Sequence, residues 1–274
     1  MQSPVDPIFS HEILASDLDH VEGVCWDPLR SCVWAGGEAG QIYRIGLDGS
    51  VEIVATIDGG ALLGIALDGD GYLYLCDPGN HQVWRYLPGQ QPEAFGDAIA
   101  YPNYAAFVPD GRLFVSDSGS ITEDTGALVA IDLDGTTQEL ISPSLAFSNG
   151  LAYRDGQVYV VESSRPGVGV FDLTSGNYAP LIDMERCLPD GLAFDNAGGL
   201  WISCYQPNQV WRWTKEAGLE LLIDDWSGEF ILSPTNIAFV GEHLDRLVLA
   251  SLCGHSISII SPAQAGVTLE YPTH

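Results

Sequence analysis

The sequence predicts an all-β protein, a six-bladed β-propeller with four-stranded antiparallel blades. Three observations carry that expectation. One short motif recurs six times, at Glu22, Leu63, Asn103, Asn149, Asp190 and Thr235, with intervals of 41, 40, 46, 41 and 45 residues, close to the length of one propeller blade. Within each copy, β-branched and aromatic runs alternate with Asp-Gly and Gly turns, the composition of an antiparallel meander. No stretch shows the 3.6-residue apolar period of a helix.

Each unit opens with a short apolar strand, turns on Asp or Gly and continues into a second strand. The first three are EGVCWDPLRSCVWAG from Glu22, LGIALDGDGYLYLCD from Leu63 and NYAAFVPDGRLFVSD from Asn103. NGLAYRDGQVYVVES from Asn149, DGLAFDNAGGLWISC from Asp190 and TNIAFVGEHLDRLVLAS from Thr235 follow. Most units then supply a third strand such as QIYRIGL, QVWRYLP, ALVAIDL or QVWRWTK, and a fourth such as VEIVATI, TQELIS or LELLID. The last unit has three strands ending near SISIIS, and the N-terminal HEILASD reads as the outermost strand that closes the ring. The C-terminal VTLEY is the competing candidate for that position. On this reading residues 1–274 form a single propeller domain whose closure leaves no weak seam.

Composition narrows the partners. Ten Lys and Arg against 37 Asp and Glu give a formal net charge of −27, which disfavours nucleic acid and anionic membranes as partners and leaves small molecules and metal cations. Hydrophobic residues at 46% allow a large core. No apolar run approaches the roughly 18 residues of a membrane span, and the opening MQSPVDPIFSHEILASD lacks the features of a signal peptide, so the cytoplasm is the expected location. The six cysteines show neither CxxC nor zinc spacing, and most are expected to be reduced, buried hydrophobes. Cys25 and Cys32 flank a tight turn, but a reducing compartment disfavours a disulfide there. Oligomeric state has no signal in the sequence.

If strands run from inner to outer, the six aligned positions ring the central channel on the face where the chain enters each blade. Glu22, Asn103, Asn149 and Asp190 would then aim oxygen-bearing side chains at one axis. Two carboxylates converging without a Lys or Arg are costly, and a divalent cation would remove that cost. Hard oxygen donors favour Ca²⁺, with Mg²⁺ or Mn²⁺ next and Zn²⁺ less natural. Asn and Asp are also turn formers at strand entrances, and the residues alone leave both readings open. Loops between second and third strands open on the same face, carrying Asp77, His81, Asp117, Glu162, Ser163, Tyr205 and His255. The extra length in 118–126 and 226–234 points to substrate walls or a lid. DGDG at 68–71 lacks the later Glu of a calcium loop and reads as a hairpin turn. HExxH, GxSxG, the P-loop and GxGxxG are all missing.

VEGVCWD around Glu22, FSNGLAY around Asn149, LPDGLAFDNAGGLWIS around Asp190 and SPTNIAF before the last blade resemble the senescence marker protein, gluconolactonase and luciferin-regenerating enzyme family. The similarity extends over nearly the whole chain. It implies that Glu22, Asn149 and Asp190 hold one divalent metal ion at the channel mouth, with Asn103 near metal or substrate, and that the chemistry is hydrolysis of sugar-type lactones. The chain departs from the family in its third blade. Where many relatives show Arg or a similar residue followed by Pro-Asn-Asp, it has Tyr101-Pro102-Asn103-Tyr104, which disfavours highly hydroxylated or anionic sugars.

These readings converge on a metal-dependent lactonase. Asp190 would be the general base, Asn103 would orient the substrate, and Tyr101, Tyr104 and His255 would wall the pocket. The alternatives are a related propeller hydrolase of phosphoesters or other esters, and a non-catalytic propeller that binds a ligand or protein and keeps a structural metal.

Overall fold

The computed structural model describes residues 9–273; residues 1–8, part of the opening segment in which no signal-peptide features are expected, and residue 274 lie outside it. It is built from six four-stranded antiparallel sheets arranged as propeller blades. The first blade comprises β2 (Val24–Asp27), β3 (Cys32–Gly36), β4 (Gln41–Gly46) and β5 (Val51–Thr56), preceded in the chain by β1 (His11–Ser16). The second is β6 (Ile65–Leu67), β7 (Leu73–Asp77), β8 (Gln82–Tyr86) and β9 (Glu93–Phe95). The third is β10 (Pro102–Phe107), β11 (Leu113–Asp117), β12 (Gly126–Ile131) and β13 (Thr137–Leu145). The fourth is β14 (Ser148–Arg154), β15 (Gln157–Glu162), β16 (Gly167–Asp172) and β17 (Tyr178–Asp183). The fifth is β18 (Leu188–Phe194), β19 (Leu200–Gln206), β20 (Gln209–Thr214) and β21 (Gly218–Asp224). The sixth has β22 (Pro234–Val240), β23 (Arg246–Ser251) and β24 (Ser256–Ile260), and its outer strand is β1. The all-β, six-bladed expectation is met.

Neighbouring sheets pack through apolar clusters that draw on the strands of both blades, as Tyr74, Cys76 and Val83 of the second do with Ala105, Val115 and Val129 of the third. Phe107, Phe194 and Phe239, at equivalent places in the inner strands of three blades, meet Tyr74, Tyr159 and Trp201 on the second strand of the preceding blade. Their rings lie edge-on with centroids 4.9 to 5.8 Å apart, the favoured geometry for aromatic pairs. Between the sixth and first blades, Leu14, Ala15 and Leu18 join Val24, Val33, Val248 and Ile257 in one apolar cluster. Pairing of His11 to Ser16 with Ser256 to Ile260 makes the N-terminal segment the outer strand of that blade. Residues 267–271 form no strand and instead cross the lower face.

Many of the acids are structural. Asp27 and Asp195, at equivalent hairpins, accept turn N–H bonds with one oxygen and an indole with the other: Trp34 Nε1 at 2.8 Å and Trp201 Nε1 at 2.9 Å. Asp68 of the DGDG segment accepts the Asp70 and Tyr72 N–H groups and the Tyr74 hydroxyl, the hairpin-turn role expected of it. Asp195 also binds Arg212 Nε at 2.6 Å. Removing it would strand a guanidinium and an indole together, so Asp195→Ala should cost about 3 kcal/mol of unfolding free energy, read by urea denaturation, with metal content unchanged. All six cysteines are free. Cys25 stands opposite Trp34 and Cys32 opposite Asp27, so these two do not face each other.

Candidate functional site

Four of the inward-facing residues, Asn103, Asn149, Asp190 and Asn236, owe their aim to a repeated irregularity, whereas Glu22 precedes β2, whose ladder is regular. In β14 the ladder passes from Ser148–Glu162 to Leu151–Val160, leaving Asn149 and Gly150 opposite Val161 alone. In β18, Asp190 and Gly191 bulge in the same way opposite Ser203, and in β22 Thr235 and Asn236 do so opposite Ala250. In β10, Asn103 is the extra residue. A bulge bends the strand and re-aims one side chain out of the pleat, which here means toward the channel. The glycine after the bulged residue lets neighbouring inner strands approach: a Cβ on Gly150 would run into the Asp190 carbonyl oxygen, and one on Gly191 would lie 2.6 Å from that of Thr235.

Two serines, Ser163 just after β15 and Ser203 within β19, lock this arrangement. Ser163 Oγ donates to the Pro189 carbonyl at 2.6 Å, and the Asn149 amide donates to Ser163 Oγ at 3.3 Å. Ser203 Oγ accepts from Gly191 N–H at 2.9 Å and donates to the Thr235 carbonyl. The fourth blade thus fixes the entrance of the fifth, and the fifth that of the sixth.

The result is a compact set of oxygen atoms. Glu22, Asn103, Asn149 and Asp190 are all buried, at 7%, 1%, 3% and 6% exposure. Both Asp190 oxygens accept side-chain amides: Oδ2 from Asn149 Nδ2 at 3.2 Å and Oδ1 from Asn236 Nδ2 at 3.4 Å. With their NH₂ ends committed, Asn149 and Asn236 keep Oδ1 atoms that are buried and without a partner, and Asn103 Oδ1 is likewise unpartnered. Leaving a buried acceptor unsatisfied costs on the order of 1–3 kcal/mol. No Lys or Arg figures among the charges acting on Glu22 or Asp190. Burial, then Asp190 and then Glu38, hold the Glu22 carboxyl well above its ordinary range. Burial pushes Asp190 up to about 7 against the lowering effect of the Asn236 and Asn149 amides. Two carboxylates and three orphaned amide oxygens, all hard donors with no compensating cation, fit a divalent ion.

Asn236 was not singled out by sequence, because the repeat alignment placed Thr235 in the ring. Thr235 instead spends its hydroxyl on the Glu22 carbonyl at 2.9 Å, and Asn236 takes the inward place. The signal was present in the Thr-Asn pair of SPTNIAF, but only the bulge decides which member turns inward.

The residues expected to wall the pocket separate. Tyr101 is 37% exposed, packs beside Phe147 at 6.0 Å between ring centroids, and has its phenol raised by burial and by Glu22 and Glu38. Tyr205 is on the same face, 3.1 Å from Cys253 Sγ. That contact first, then burial, holds its phenol at about 12, and Glu22 and Asp190 add to the rise. His255 is bonded through Nδ1 to the Leu18 carbonyl at 2.9 Å, and its ring lies 4.6 Å from that of His20 with the planes tilted by 45°; His20 Nδ1 is 3.0 Å from Glu38. Tyr104 differs from expectation. It is buried, and its ring lines a cavity on the lower side of the channel, because the position after the bulged Asn103 points down the channel while Asn103 takes the upper ring.

The sequence pattern of the "SMP-30/Gluconolactonase/LRE-like region" matches residues 92–252. Pentonolactonase XacC of Haloferax volcanii is 26% identical over 254 residues, spanning 85% of this chain and 81% of that protein. Regucalcin of Bos taurus is 24% identical over 237 residues, spanning 80% and 73%. Among solved structures, a luciferin-regenerating enzyme superposes with a TM-score of 0.80 at 18% identity, covering 97% of this chain and 100% of that one. A calcium-binding regucalcin from Agrobacterium tumefaciens gives 0.80 at 15% identity, covering 97% and 98%. At those identities the structural likenesses speak to the fold.

Proposed function

The chain belongs to the SMP-30/gluconolactonase/LRE-like family, and from that premise we propose that it is a metal-dependent lactonase acting at the upper mouth of its channel. The observation that carries this reading is the trio of buried, unpartnered Asn oxygens around two carboxylates that no cation balances. Two relatives that span most of their length with this chain bear the names pentonolactonase and regucalcin, which supports lactone opening and a divalent ion together.

Glu22, Asn149 and Asp190 would hold the ion, with the Oδ1 atoms of Asn103 and Asn236 turned toward the same space; Ca²⁺ suits this oxygen set best. When bound, the ion supplies Lewis acidity toward a carbonyl oxygen and acidifies water. Asp190 is the general base. Ionised beside the ion, it can accept a proton from a water the ion acidifies, and the Asn149 and Asn236 amides fix its orientation. As water oxygen bonds to the lactone carbonyl carbon, Asp190 takes the water proton. When the ring C–O bond breaks, it returns that proton to the departing ring oxygen, giving a hydroxy acid. Asn103 orients the substrate. Tyr101, whose phenol stays protonated because burial raises it, donates a hydrogen bond from the wall, and His255 borders the mouth.

Glu38, outside the ligand set and close enough to raise the Tyr101 phenol, leaves negative charge at the mouth and favours an uncharged lactone over an anionic one. Elemental analysis of the purified protein, followed by a pH-stat assay over a panel of neutral and acidic lactones with and without chelator, tests the proposal. One divalent ion per chain and chelator-sensitive opening of neutral lactones is the expected result. A metal-free protein, or turnover indifferent to chelator, would refute it.

A further inference from the structure

Below the ring, the channel widens into a second chamber of about 520 Å³. Its origin is visible in the repeat. Three residues beyond each ring position the inner strands carry Cys25, Ala66, Ala106, Ala152, Ala193 and Ala238, and all six line the chamber. Six small residues at one level leave a space that larger side chains would have filled. None of Glu22, Asn103, Asn149, Asp190 or Asn236 reaches it.

The upper end is closed by Tyr104. Four of the other five blades have glycine at its position, so its ring alone extends down to the chamber from that level. Its hydroxyl has no hydrogen-bond partner among the described residues. The lower mouth is crossed by the C-terminal strap. Residues 265–267 are tied to the fifth and sixth blades by Asn196 N–H to the Ala265 carbonyl, Gly266 N–H to that of Leu244 and Val267 N–H to that of Phe194, at 2.8 to 3.2 Å. Gly69 N–H holds the Pro272 carbonyl at 2.7 Å, and the Tyr271 hydroxyl reaches the Trp26 carbonyl at 3.5 Å. Between these anchors Thr268, Leu269 and Glu270 overlie the chamber and are exposed. Neither Lys nor Arg lines it, and the charged side chains that do are the carboxylates of Glu242 and Glu270.

We propose that this lower chamber is a second binding site, separate from the proposed reaction centre, for a compact, uncharged and largely apolar molecule carrying a hydroxyl or carbonyl group. The volume falls within the roughly 300–1,000 Å³ of small-molecule sites. The walls supply apolar contact, Tyr104 supplies one hydrogen bond at the closed end, and the inner edges of the innermost strands border the space with peptide groups that no further strand covers. Glu242 and Glu270 exclude anions. The 268–270 stretch, held only at its two ends, is the gate.

The test uses 1-naphthol as probe and naphthalene-2-sulfonate as its anionic counterpart, titrated into the full chain by calorimetry. Saturable binding of one 1-naphthol per chain is expected, with at least tenfold weaker binding of the sulfonate. Ala106→Phe should weaken 1-naphthol at least tenfold while leaving metal content and lactone turnover unchanged. Should that variant fail to fold, Ala152→Leu fills the same level with a smaller side chain and should weaken binding measurably. Absence of saturable binding, equal affinity for the sulfonate, or indifference to the filling substitution would overturn the proposal. Loss of 1-naphthol binding on chelation alone would place the probe at the upper mouth and likewise overturn it. Because the readout is binding, the outcome is independent of whether the protein opens lactones.

Discussion

Asp190→Asn should remove stoichiometric divalent-ion binding and lower lactone turnover by more than about 100-fold, since even partners one step removed from a metal are worth roughly 10- to 100-fold. The substitution keeps the shape of the side chain and its place beside Asn149 and Asn236, but removes both a charged ligand and the base. It should also have the opposite effect on the metal-free fold. Glu22 and Asp190 are buried and raise each other's cost of ionisation with no cation to offset it, so neutralising one relieves like-charge repulsion. In chelator at pH 8 the variant should melt above the parent chain, whereas a substitution that merely damaged the fold would melt below it. Elemental analysis, pH-stat assay and thermal melting read the three effects. Full turnover in the variant would refute the role given to Asp190.

The stability of the metal-free protein should fall as pH rises from about 4 to about 8. Asp190 has a folded pKa near 7 against an ordinary value of 3.8, and Glu22 is displaced in the same direction. Between ordinary and folded values the native state holds more protons than the unfolded chain, so unfolding free energy decreases with pH. At about 1.4 kcal/mol per unit, Asp190 alone accounts for a loss on the order of 4 kcal/mol. With Ca²⁺ present the carboxylates are balanced when ionised, and binding adds about 2.7 kcal/mol when the ion stands at 100 times its Kd. The gap in melting temperature between Ca²⁺-loaded and chelated protein should therefore widen from pH 5 to pH 8. Asp48, Asp110, Asp134 and Asp172 have lowered pKa values through hydrogen bonds from Ser50, Arg112, Thr136 and Ser175. They titrate in acid and cancel in this difference. A gap that stays constant or narrows would contradict the assignment of the ion to this pair.

What could be read from the chain without its fold was whatever depends on local period. A motif returning every 40 to 46 residues, with strands of period two and Asp or Gly turns, leaves one architecture in which six such units bury each other's faces. It also placed Glu22, Asn103, Asn149 and Asp190 at one level, because equivalent positions in a closed ring are equidistant from its axis. Three matters waited for the tertiary structure. The choice between Thr235 and Asn236 turns on a bulge, and a bulge is a ladder irregularity between strands rather than a property of a residue. Tyr104 follows Asn103 immediately in sequence, yet the same register shift sends one up to the ring and the other down into the lower chamber. The chamber itself arises from six small side chains, none of which marks a cavity in its own strand, that become one only when the ring closes and the C-terminal strap crosses beneath it. Periodicity determines where the strands are and which residues share a level; the direction of a side chain at a bulge, and the space left between facing residues, depend on contacts among blades roughly 40 residues apart.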